Sequence, residues 1–138
     1  HFHPHPLDWL HFETSFETVT GEKQNGDYLP LIPANKWNNT IRTEFQIRNW
    51  MEDAFATLNV SSTFNQKKVS GFETESSGYN LVNLGFGGTV KLGKTVFDVN
   101  INGNNLFDKR YVTHLSRLKI DGIPNIGRNI IFGVNFNL

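Results

Sequence analysis

From Ile130 to Leu138 the sequence alternates without a break. Ile130, Phe132, Val134, Phe136 and Leu138 are apolar, and Ile131, Gly133, Asn135 and Asn137 stand between them. Successive side chains of a strand point to opposite faces, so a period of two gives one apolar face and one mostly small or polar face. A helix would need apolar positions three and four apart, which this stretch does not offer. Chain ends are usually polar and frayed. An amphipathic strand carried to the last residue is therefore expected to be a working part of the fold.

The rest of the chain follows the same rule. Six strand-like segments are expected over residues 10–20, 37–49, 53–65, 79–93, 95–107 and 128–138. The breaks between them carry turn chemistry: Asn25-Gly26 with Pro30 and Pro33, Trp50 to Glu52, Ser76-Ser77-Gly78, Gly93-Lys94, and Asp121-Gly122 with Pro124. Long and short connections alternate, as in a meander whose one rim has tight turns and whose other rim has extended loops. An antiparallel meander is expected, each strand paired with its sequence neighbour.

Composition narrows the class. At 138 residues the chain suits a single domain with a modest core. Thirteen Lys and Arg balance thirteen Asp and Glu, so there is no basic surplus to attract nucleic acid. Cysteine is absent, which excludes disulfides, thiolate chemistry and Cys-based metal sites. Twelve Phe residues favour strands. No apolar run reaches the ~18 residues of a membrane helix, but a membrane-spanning strand would leave no such run. The chain opens at His1 with neither Met nor a signal peptide, and the expectation is a processed product or a piece of a longer chain.

The alternation sorts residues onto two faces. The apolar register takes Leu10, Phe12, Phe16, Trp37, Ile41, Phe45, Ile47, Ala54, Ala56, Leu58, Val60, Phe64, Val82, Leu84, Phe86, Val90, Leu92, Phe97, Val99, Ile101, Phe107 and the even positions of the last strand. Thr, Ser, Gly and Asn fill its gaps. The opposite register carries Glu13, Glu17, Arg42, Glu44, Arg48, Asp53, Lys91 and Asp98. Hydrocarbon outside and water inside would produce this pattern. So would a soluble sandwich or small barrel whose apolar face meets a core.

The block Asn105-Leu106-Phe107-Asp108-Lys109-Arg110-Tyr111-Val112, followed by Gly127-Arg128-Asn129 and an amphipathic last strand, resembles the C-terminus of TonB-dependent outer-membrane receptors. That family combines an NLFD-[KR]-Y segment in its penultimate strand with a GR pair opening its last strand. The stretch from Pro4 to Glu13, and the stretch from Tyr28 to Pro33, are also similar to receptors of this family, particularly of Bacteroidetes type. The resemblance covers essentially the whole chain. It implies an all-β fold in which these six strands are the last of a plugged barrel of about 22. The plug and the TonB-contacting parts would lie upstream. It implies outer-membrane lipid, the TonB complex and the barrel-assembly machinery as partners, and no covalent chemistry or cofactor. The final strand resembles the barrel-assembly signal through Gly133, Phe136 and Leu138, departing from it in Ile131 and in ending on Leu138 rather than an aromatic residue.

Other clusters carry weaker chemistry. His1, His3 and His5 alternate and could hold Zn²⁺, Cu²⁺ or Ni²⁺, although Pro4 and Pro6 would interrupt ladder pairing there. His11, Glu13 and Glu17 share a side, as do Arg42, Glu44 and Arg48. Paired carboxylates can serve acid–base catalysis, but cross-strand ion pairs in a water-filled lumen account for them better. Asp98, Asn100, Asn102 and Asn104 form a row on a strand rather than a calcium cage. Gly85, Gly87 and Gly88 have no helix behind them, so they read as sites of bending or close approach rather than a phosphate loop. Trp9, Trp37, Trp50, Tyr79 and Tyr111 lie near strand ends and suit an interfacial girdle, with ordinary strand aromatics as the alternative.

The function expected is part of an outer-membrane receptor that imports a scarce or large nutrient of the ferric siderophore, vitamin B12 or glycan class with TonB-supplied energy. The alternative is a self-contained soluble β-barrel or sandwich that binds an apolar ligand or a protein partner. Alone, six such strands would need detergent, self-association or a tighter curl burying Phe12, Phe45, Phe86, Phe97 and Phe132.

Overall fold

The computed structural model describes residues 8–48 and 50–136, and its architecture is all-β. Six strands, β1 (Leu10–Glu17), β2 (Lys36–Ile47), β3 (Met51–Thr63), β4 (Tyr79–Leu92), β5 (Thr95–Asn104) and β6 (Asn129–Phe136), form one antiparallel sheet in sequence order. A 3-10 turn, Arg117–Lys119, lies in the connection before β6. The sheet is open: β1 and β6 are its two edges and do not pair with each other. The three long connections, 18–35, 64–78 and 105–128, all leave one end of the sheet, and the two short ones leave the other. In the β4–β5 hairpin Leu92 faces Thr95, and Gly93 supplies the positive φ (63°) that a two-residue turn requires.

The register joins the apolar residues into rows that cross the sheet. Leu10, Thr43, Ala56, Phe86, Ile101 and Phe132 stand opposite one another in turn. The next row is Phe12, Ile41, Leu58, Leu84, Gly103 and Ile130. No strand residue on this face is charged. The face is also uncovered. Phe132 is 74% exposed, and Phe45, Phe86, Leu84, Val134 and Phe136 are exposed as well. Among the described residues no element lies across this face and the edges stay apart, so the tighter curl that would bury Phe45, Phe86 and Phe132 does not form.

Apolar burial concentrates at the short-turn end. Met51, Ala54 and Val90 are buried, with Ile47, Phe97 and Val99 against them. Met51 pairs with both Ile47 and Val90, so a residue expected in a connection is the most buried large side chain described. The cause is a bulge, where Asp53 and Ala54 on β3 together oppose Gly88 on β4. Asp53 takes a positive φ (48°), and a side chain at 88 would collide with Met51 and the Ala54 backbone. The extra residue restores the register, so Asp53 is a bulge residue rather than a regular member of the charged face.

Two boundaries shift for local reasons. β2 stops at Ile47 because Arg48 enters the left-handed region (φ 49°), which removes Arg48 from the strand face assigned to it. β5 stops at Asn104 because Asn105 does the same (φ 50°), a conformation Asn tolerates better than most residues. Leu106 and Phe107 keep the alternation in sequence but not in structure, and Phe107 points into solvent.

Candidate functional site

The charged face gathers most of the residues expected to line a lumen. Glu13, Glu17, Arg42, Glu44 and Asp98 all occupy its register. Arg42 donates from Nε to Glu44 Oε1 at 3.0 Å, and His11, directly opposite Arg42, brings Nε2 to 3.8 Å from Glu44 Oε2. The Arg42–Glu44 pair thus runs along β2, His11 reaches the same carboxylate across from β1, and Arg48 takes no part in either contact. The Arg42 guanidinium also covers the Phe55 ring at 4.0 Å. Glu13 joins His11, Arg42 and Glu44 around a shallow hollow. Glu17 accepts from Asn38 Nδ2 at 3.2 Å, so the two carboxylates serve separate partners and do not form an acid–base pair. Lys91 pairs with Glu52 at 2.6 Å.

Asp98 begins the polar row on β5 and accepts from Thr89 Oγ1 at 2.7 Å. Asn102 donates to Asn100, and Asn104 donates to Asn129 on β6. Gly133 faces Asn100 across the β5–β6 pair, and a Cβ there would sit 2.7 Å from the Asn100 amide. Its small size therefore has a local packing role on the charged face. Phe136 lies on the apolar face with its ring 5.7 Å from Phe97. Leu138, His1, His3 and His5 lie outside the described residues. Among the described residues, no three His, Cys, Asp or Glu side chains converge on a common point.

The segment 105–108 and the pair Gly127-Arg128 meet in space, just beyond β5 and just before β6. Asn105 is buried, and its side chain binds both the N–H and the carbonyl of Lys109, at 2.8 and 2.9 Å. Its own N–H donates to Asn83 Oδ1 and that of Leu106 to the Val82 carbonyl, tying the turn to β4. Asp108 Oδ1 accepts the backbone N–H of Arg128 at 2.8 Å. The sequence block expected to continue a strand is thus a closed turn that positions the entry of β6.

The long connections knit into one layer. Glu73 accepts the Leu31 N–H at 2.9 Å and also bonds Ser70. These donors, the Leu31 N–H foremost, hold its carboxyl below the usual 4.5. Gln66, buried, donates to the Ile32 and Pro33 carbonyls. On the other side, Ser76 Oγ lies 2.8 Å from His114 Nδ1, and Lys119 Nζ lies 3.2 Å from the same nitrogen while bonding the Thr74 carbonyl. Burial, and then the Lys119 charge, hold His114 below its ordinary 6.5. Neutral imidazole with its proton on Nε2 accepts both donors. Sequence gave no sign of this contact, because Ser76 and His114 are 38 residues apart. The contact ties the 64–78 connection to the 105–128 connection and acts as a latch between loops.

Tyr79 belongs to the charged face, opposite Thr63, and Tyr111 folds over it with ring centroids 4.4 Å apart. Burial raises the Tyr111 phenol pKa, and Tyr79 adds to the shift. Both tyrosines therefore leave the girdle expected of them. Trp9 borders Arg42 and Glu44 on the charged side, and Trp50 sits in the short β2–β3 turn. Trp37 alone of the five occupies the apolar register, with its indole N–H on Thr14 Oγ1 at 2.8 Å. Between residues 75–79 and 109–119 lies a cleft of about 340 Å³, walled by the tyrosine pair and lined by Lys109, Arg110 and Lys119. The chain matches no protein-family model and no curated protein.

Proposed function

We propose that these six strands belong to a large outer-membrane β-barrel of the TonB-dependent receptor type, which binds a scarce or large nutrient at its long loops and admits it through the lumen with TonB-supplied energy. The nutrient would be of the ferric siderophore, vitamin B12 or glycan class. One observation carries the reading: an apolar face without a single charge spans all six strands, and among the described residues nothing covers it. Soluble monomers rarely leave more than about 300–600 Å² of contiguous apolar surface open, whereas lipid would cover this face without a second sheet.

The dimensions agree with that assignment. The apolar rows, from Ile47–Met51–Val90–Phe97–Phe136 to Thr14–Asn39–Val60–Val82, are two residues apart and span roughly 20–27 Å along the strands. An outer-membrane barrel presents an apolar band of about 25 Å. Beyond it, toward the long connections, the same face turns polar at Ser62 and Asn80 beside Trp37. The open edges of β1 and β6 would pair with further strands of the barrel.

The test uses intact cells of the producing organism. An epitope inserted beside Gly122, in the connection before β6, should be labelled from outside, and the protein should fractionate with the outer membrane. Long loops lie outside in such barrels and short turns in the periplasm. Labelling only after the outer membrane is opened, or recovery in a soluble fraction, defeats the reading.

A further inference from the structure

We propose that the cleft under Tyr111 is a binding site for a small, multiply charged oxyanion such as a polycarboxylate or a phosphate. The chain as a whole is neutral, with thirteen basic and thirteen acidic residues. The cleft is not: Lys109, Arg110 and Lys119 line it against one carboxylate, Glu75. Among the described residues no ion pair involves any of the three cations.

Hydrogen bonds fix the Lys109 backbone and the Lys119 ammonium. Asn105 clamps the Lys109 backbone at both its N–H and its carbonyl. That clamp sets where Lys109 and Arg110 leave the sheet. The Tyr111 carbonyl accepts the Asn125 N–H at 2.9 Å, and the Tyr111 ring rests on Tyr79. Lys119 is held by the Thr74 carbonyl and His114, which uses two of its three N–H donors and leaves one. A guanidinium fork with two ammonium groups matches carboxylate or phosphate oxygens. The volume of about 340 Å³ suits a small molecule. Tyr79 puts the cleft on the charged side of the sheet, so a soluble anion reaches it and a lipid headgroup on the apolar side does not.

This names a ligand class for the receptor reading. It rests on that reading only for the place of the cleft on an import route, since the binding itself needs no membrane.

The experiment is calorimetric titration of the intact protein, purified in detergent, with citrate and separately with inorganic phosphate at low salt. At least one probe should bind one to one. Lys109→Gln/Arg110→Gln should weaken it by about tenfold or more, and Glu75→Gln should tighten it. Lys109, Arg110 and Glu75 are exposed, so far-UV circular dichroism should be unchanged. Absence of binding by both probes, or an affinity indifferent to the double substitution, overturns the proposal. So does binding only to vesicles of anionic lipid. Cell fractionation reads the receptor assignment separately. Anion binding by a protein found outside the outer membrane leaves the cleft standing and removes the receptor, and an outer-membrane protein indifferent to both anions does the reverse.

Discussion

The carboxylate of Asp108 and the backbone of Arg128 are joined by a 2.8 Å hydrogen bond that spans twenty residues of chain. Gly127 makes it possible, since a Cβ at 127 would lie 2.6 Å from the same Asp108 oxygen. The contact closes the turn that follows β5 onto the entry of β6. Asp108→Ala should cost about 1 kcal/mol, the net worth of a hydrogen bond, with an addition for Ala at a left-handed backbone position. Asp108→Asn keeps an acceptor and tolerates that backbone, so it should cost less. Gly127→Ala should cost as much as Asp108→Ala, because it displaces the same oxygen. Urea unfolding of the double variant decides the point. If the two losses simply add, the residues do not act through one contact.

Acid should loosen the loop layer in two steps. His114 is held below its ordinary 6.5 by burial and Lys119, so the folded state favours the neutral ring. Its contribution is present above 6.5 and is lost as pH falls from there through the folded value. Glu73 is held below 4.5 by the Leu31 and Ser70 donors, so its contribution is present above 4.5 and is lost as pH falls through its own folded value. Amide hydrogen exchange at Leu31, Ser70 and Ser76 should show protection falling first below about 6.5 and again below about 4.5. His114→Gln should remove the upper step and Glu73→Gln the lower one. Protection independent of pH from about 2.5 to about 7.5, a range that spans both ordinary values, would remove the latch.

The strands were legible because alternation is a local code. Each observed strand falls within a few residues of its expected span, and the two faces separate as the sequence alone separates them. The bulge was not legible. Asp53 reads as an ordinary charged position, and only its pairing against Gly88 shows that β3 carries one residue too many there. Met51 was lost for the same reason. Asn105 fooled the alternation, since Leu106 and Phe107 continue the pattern after the backbone has turned. The loop layer could not be read at all: Glu73 with Leu31 and Ser76 with His114 are partners far apart in sequence and carry no motif.

Gly133 serves two demands at once, room for the Asn100 amide on one side and the sequence pattern expected of an assembly signal on the other. On the outer-membrane reading proposed above, Gly133→Asp should fail on both and leave little of the protein in the outer membrane. Gly133→Ala with Asn100→Ser separates them, because the smaller residue at 100 frees the space. Recovery of membrane levels in that pair assigns the defect of Gly133→Ala to packing. No recovery assigns it to recognition by the assembly machinery. Normal levels of Gly133→Asp would end the assembly role of this residue.

Ile131 and Phe132 are neighbours on β6, similarly apolar and both open to the surroundings, at 54% and 74% exposure. They differ in face. Phe132 stands in the apolar row with Ile101 and Phe86, midway along the strands, and Ile131 stands opposite Asn102 on the charged face. In water the two positions are equivalent, and a lysine at either should change stability by no more than about 0.5 kcal/mol. In a membrane they are not. Lysine at 132 would sit in hydrocarbon and cost about 2–4 kcal/mol, while lysine at 131 would face the aqueous lumen at little cost. Stability of Ile131→Lys and Phe132→Lys, measured in lipid bilayers by denaturant titration, should therefore split by at least about 2 kcal/mol. Equal and small effects at the two positions would place both faces in water and return the chain to a soluble β-sheet protein.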